Sequence, residues 1–71
     1  MSKKPSLHDV VALLADVPER NLSRGQVGTV IELLDSDTAL VEFSDDDGRA
    51  YAITPVKWPQ VLQLHYEPEA A

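Results

Sequence analysis

A small, single-domain, all-β barrel of five short strands is what this sequence predicts, and three observations carry the expectation. Short β-prone runs recur between turn signals spaced roughly 8 to 12 residues apart. The 71 residues include no cysteine, so no disulfide or thiolate-bound metal supplements what is bound to be a thin core; a closed sheet makes good use of few apolar side chains. Hydrophobic residues make up 44% of the chain, ordinary for a globular domain and too many for a disordered one.

Residues 1–6 read as a flexible, basic start, residues 7–66 as the domain, and residues 67–71, Glu-Pro-Glu-Ala-Ala, as an acidic tail. The first apolar segment supports two readings. Leu7, Val10, Val11, Leu14 and Val17 fall at helical spacing, and Ser6 with Asp9 makes a weak capping box. Against a helix, Val10 and Val11 are β-branched and Pro18 allows only a short element; the adjacent pairs Val10-Val11 and Leu13-Leu14 suit a strand buried on both faces. Local pattern leaves helix and strand level.

Asp16 to Gly25 is rich in turn formers and charge, hence a loop, with Val17 and Leu22 as anchors into the core. Gln26 to Leu34 is a strand interrupted by Gly28, which signals a bulge or a close approach of neighbouring backbone. Its Val27, Val30 and Leu33 recur every third residue, as expected of a strand that bends around a small barrel and switches its inward face. After the polar turn Asp35-Ser36-Asp37-Thr38 comes Ala39 to Phe43, with Ala39, Val41 and Phe43 on one face and Leu40 and Glu42 on the other. Arg49 to Thr54 is the next strand. Pro55 to Gln60 reads as a connector with a 3₁₀ turn, and Val61 to Tyr66 as the last strand, with Leu62, Leu64 and Tyr66 on one face.

The acidic run Asp45-Asp46-Asp47-Gly48 between two of these strands invites a metal reading, and spacing rejects it. A calcium loop would need a ligand where Phe43 stands and a glutamate where Thr54 stands. Asp47-Gly48 is instead a signal for a two-residue type I′ hairpin, with positive φ at both residues, leaving Asp45 and Asp46 as solvated charge beside Arg49.

From Arg24 to Tyr51 the order of signals becomes specific. Arg24-Gly25-Gln26-Val27-Gly28-Thr29-Val30, then Val41-Glu42-Phe43, then Asp47-Gly48-Arg49 resemble the core of SH3-like barrels of the KOW type. With "DVVALLADVPE" before and "VLQLHYEP" after, residues 7–68 resemble a family of small stand-alone bacterial proteins known as a domain of unknown function. The resemblance implies a five-stranded SH3-like barrel, and it turns the first segment toward a strand. Members of that family include some encoded near toxin-like nucleases, which implies an antitoxin or immunity role.

Charge and residue chemistry narrow the function. Twelve Asp and Glu against six Lys and Arg give a net charge of −6, which argues against nucleic acid as the partner. The longest apolar run, Val10 to Ala15, falls far short of the roughly 18 residues a membrane helix needs. The first residues lack a secretory pattern, so a cytoplasmic location is expected. His8 and His65 stand in no nucleophilic motif, and Gly25-Gln26-Val27-Gly28 lacks the third glycine and lysine of a phosphate loop. The expectation is no enzyme and no cofactor.

What remains is a protein-interaction module with an acidic surface, an antitoxin or immunity-type partner of a basic protein. Its candidate contacts are Asp45, Asp46, Asp47, Arg49, Tyr51 and Trp58, while Gly25, Gly28 and Gly48 serve turns or close backbone approach. Trp58 has two readings, a plug at one barrel end and a surface anchor. The alternative function is an RNA- or ribosome-associated KOW-like module using Arg20, Arg24, Arg49 and Lys57. An exposed edge strand would also offer a route to a homodimer.

Overall fold

The computed structural model describes residues 5–45 and 47–64. The candidate contact Asp46, the end of the last expected strand at His65 and Tyr66, the acidic tail and most of the basic start lie outside the described residues.

Five strands, β1 (Val10–Leu13), β2 (Val27–Leu33), β3 (Thr38–Ser44), β4 (Ala50–Lys57) and β5 (Val61–Gln63), make one antiparallel sheet in the order β4-β3-β2-β1-β5. The all-β expectation holds. The sheet is not a closed barrel, however, because no ladder joins β4 to β5 among the described residues. It must nevertheless curl. Flat, its outer strands would stand about 19 Å apart, whereas the 3₁₀ turn Trp58–Gln60 that links them rises only about 6 Å.

The first apolar segment is a strand. Val11 and Leu13 turn into the core, and β1 takes ladders from β2 on one side and β5 on the other. The Ser6–Asp9 box forms, but as a turn: Ser6 N–H donates to Asp9 Oδ2 at 2.8 Å and Asp9 N–H to the Ser6 carbonyl at 3.1 Å. His8, at φ 71°, then directs the chain into the sheet. In the loop before β2, Val17 and Leu22 pair with each other as a bridge, Leu22 buried and Val17 packed against the core, so both expected anchors hold. That loop also contains a 3₁₀ turn at Pro18–Arg20.

Gly28 marks a close approach and not a bulge. A Cβ there would stand 2.5 Å from Val41 Cγ1, 2.9 Å from the Glu42 carbonyl oxygen and 2.9 Å from Phe43 Cδ1. The irregularity in β2 falls later, between Val30 and Glu32. Of the three residues read as facing inward, Val30 alone is buried, while Val27 and Leu33 are exposed. β3 follows its alternation: Ala39, Val41 and Phe43 are core, and Leu40 and Glu42 face the other way.

β4 runs three residues further than the sequence suggested, through Pro55, Val56 and Lys57. Proline is admitted because β4 is an edge. Trp58 N–H donates to the Asp37 carbonyl at 2.7 Å, and the alternation of an antiparallel ladder then places the nitrogens of Pro55 and Lys57 on the side away from β3. The Lys57 N–H is taken by Gln60 Oε1 at 2.7 Å. With a register shift at the other end, near Tyr51, this edge offers little to a pairing strand.

The core gathers Val11, Leu13, Leu22, Val30, Ala39, Val41, Phe43, Val56 and Val61, with Val17, Ala52 and Trp58 packed against it.

Candidate functional site

The candidate residues fall mainly at one end of the sheet, where β3 turns into β4. The turn differs from the type I′ hairpin. Asp45 N–H donates to the Arg49 carbonyl at 2.9 Å, and Gly48 N–H to the Asp45 carbonyl at 3.0 Å. Gly48 takes a positive φ of 79°. A three-residue loop closed by a left-handed glycine fits this pattern. Its first carboxylate is structural: Asp45 Oδ1 accepts the N–H of Asp47 at 2.9 Å and that of Arg49 at 3.0 Å. The sequence reading missed this role, although aspartate at the start of a turn was the signal for it.

The turn between β2 and β3 repeats the device at the opposite end. Asp35 Oδ1 accepts the Asp37 N–H at 3.0 Å, and that backbone bond is the main cause holding the Asp35 carboxyl below its ordinary 3.8. Asp37 also accepts from the Thr38 hydroxyl at 3.0 Å and lies 3.6 Å from Lys57 Nζ. That ion pair is exposed on both sides and adds little stability.

Tyr51 lies at the irregular start of β4. Its hydroxyl accepts from Gln26 Nε2 at 2.8 Å, and Gln26 Oε1 in turn accepts the Ser23 N–H, which ties the edge strand to the loop before β2. Arg24 belongs to that loop too, its N–H held by Asp16 Oδ1 at 2.8 Å, and Gly25 turns the chain there at φ 92°. Asp45, Asp47, Arg49, Tyr51, Gly25 and Gly48 are therefore neighbours in the fold, all exposed. Trp58 stands apart from them, partly buried against the core at the far end of β4, where its N–H fastens the connector to Asp37.

The cations do not assemble. Arg20, Arg24 and Arg49 belong to the β3–β4 turn end, interleaved with Asp16, Glu19, Asp45 and Asp47, and Lys57 lies at the other end beside Asp37. Among the described residues no group of three His, Asp or Glu side chains is placed to hold a metal ion, and no helix is long and apolar enough to cross a membrane.

One feature of the surface was not anticipated. Leu14, Val27 and Leu62 are 46%, 41% and 52% exposed and stand on neighbouring strands. Register brings them together: Ala12 lies opposite both Val27 and Leu62, and Leu14 continues β1, its N–H donating to the Gln60 carbonyl at 2.8 Å.

No curated protein and no solved structure matches the chain. A family model does match, over residues 7–63, a span that takes in all five strands. As its ordered glycine, Val-Glu-Phe and Asp-Gly-Arg motifs suggested, the chain belongs to the family described as Domain of unknown function (DUF4926).

Proposed function

We propose that this chain is a non-catalytic protein-interaction module that presents fixed carboxylates to a basic protein, in the manner of an antitoxin or immunity protein. The observation that carries the reading is the pair of acidic turns. In each, a carboxylate binds backbone N–H groups of its own loop, so Asp35 and Asp37 at one end and Asp45 and Asp47 at the other project from ordered backbone. Fixed charge steers association without the entropy loss of ordering a floppy loop. A net charge of −6 supplies the long-range field. The same reading takes the protein as bacterial and cytoplasmic, with a KOW-type sheet.

The test is affinity capture on the intact chain from cells of its source, at about 50 mM and about 300 mM salt, where screening differs strongly. The expected result is a basic protein retained at low salt and released at high salt, with slower association when Asp45 and Asp47 are changed to asparagine. Capture of nothing above background at low salt would overturn the reading.

A further inference from the structure

Resting on that reading, we infer that the contact itself is made by the outer face of β5, β1 and β2, and that its occupant is a protein surface with an apolar centre and a cationic rim. Buried Val11, Leu13, Gly28, Val30 and Val61 face the core, so their alternating neighbours face outward. Those neighbours are Leu62 and Leu64 on and just beyond β5, Val10, Ala12 and Leu14 along β1, and Val27 and Thr29 on β2. The register sets them side by side, as Leu62–Ala12–Val27 in one row and Leu64–Val10–Thr29 in the next. No charged residue interrupts either row. An uncharged face on which Leu14, Val27 and Leu62 are each more than 40% exposed has the character of a contact surface.

Carboxylates border it on the β2 side and in the adjoining loops. Glu42 is the next residue in the Val10–Thr29 row, Asp16 follows Leu14 by two residues, and Asp45 follows the end of β3. Asp16 and Asp45 are each fixed by a backbone N–H bond. Arg24 and Arg49 share those loops, but the chain as a whole carries 12 carboxylates against 6 cations. The net charge of −6 that two copies would each carry favours a basic protein over a second copy as the occupant. The same charge disfavours anionic lipid and nucleic acid. A protein presenting apolar side chains within a ring of Lys and Arg satisfies both features.

The experiment places a photo-crosslinking side chain at Leu62, or at Ile53 as control, in the full chain in cells of its source. Ile53 is 48% exposed but lies on β4, at the other edge of the sheet. The inference expects an adduct with a basic protein from position 62 and none from 53. With that protein purified, Leu62→Ser or Val27→Ser should weaken binding at least 30-fold, and Ile53→Ser by less than twofold. Adducts from 53 and not 62, equal adducts from both, or an adduct of the chain with itself would overturn the inference and leave the interaction reading standing. No adduct at either position, together with no salt-sensitive capture, would overturn both.

Discussion

Replacing Gly28 by alanine tests the packing of the whole sheet with one methyl group. The added Cβ would meet Val41 Cγ1 at 2.5 Å, at least about 1 Å inside the ordinary carbon–carbon contact distance. Both Val41 and Phe43 are fully buried, so neither can swing into solvent. The third obstacle is backbone: the Glu42 carbonyl oxygen, 2.9 Å away, belongs to the strand paired with Gly28. Overpacking of a tight core typically destabilises by about 1 to 3 kcal/mol, and an obstacle on the main chain places Gly28→Ala at the upper end. Stiffening of the unfolded chain returns about 0.4 to 1 kcal/mol. The net expectation is a loss of about 2 kcal/mol from a total stability of roughly 4 to 10 kcal/mol for a chain of this size. In thermal unfolding followed by circular dichroism that is a Tm about 8 to 16 °C lower. A Tm within about 2 °C of the parent would refute the reasoning. A second variant locates the clash: Val41→Ala should destabilise alone, yet combine with Gly28→Ala to give less than the sum by about 1 kcal/mol. Strict additivity would mean that the valine methyl is not the obstacle.

Three further outcomes follow from single side chains. Thr54 is 3% exposed in the core-facing row, and its hydroxyl reaches only the Pro55 carbonyl, at a long 3.4 Å; Thr54→Val should stabilise by about 1 kcal/mol in urea unfolding, and a lower midpoint would show that the hydroxyl has a better partner. Asp45→Ala removes the acceptor for two backbone N–H groups and should destabilise by about 1 kcal/mol, whereas Asp45→Asn, which keeps the carbonyl oxygen, should be nearly neutral; equal losses would assign the effect to charge. The Asp35 carboxyl is held below 3.8 in the folded state, so its contribution is present above the ordinary carboxylate range and is lost as pH falls through the lowered value. Stability measured from pH 7 down to pH 3 should therefore fall less steeply for Asp35→Asn than for the parent, and parallel curves would contradict the assignment.

β3 could be read from the sequence because its two neighbours and its core lie where a period of two expects them. Elements whose conformation depends on distant partners were less legible. The Ser6–Asp9 box is a real local interaction, equally at home at a helix start or in a turn; two ladders, drawn from residues 27–29 and 61–63, decide for the strand. Pro55 looked like the end of β4 because proline interrupts a ladder, but a ladder has two sides, and only the topology reveals that β4 has no strand on one side among the described residues. In the acidic turn, Asp-Gly correctly marked a hairpin. The loop length was misread because Asp45, counted as surface charge, captures two N–H groups and makes the longer loop favourable.

The candidate site was legible in part for a related reason. Alternation identifies the inward face only when the other face is polar. In Val10-Val11-Ala12-Leu13-Leu14 apolar residues occur on both faces, which suggested a strand buried on both sides, and in Val61-Leu62-Gln63-Leu64 they again occur on both. The fold covers one side, with Val11, Leu13 and Val61, and leaves Leu14 and Leu62 in solvent. Among the described residues all five strands belong to the one sheet, and none of them forms a second layer over that outer face. With that face assigned to a partner, as inferred above, Asp16, Glu42 and Asp45 along its border would influence which surfaces approach, and the apolar side chains would supply the hold.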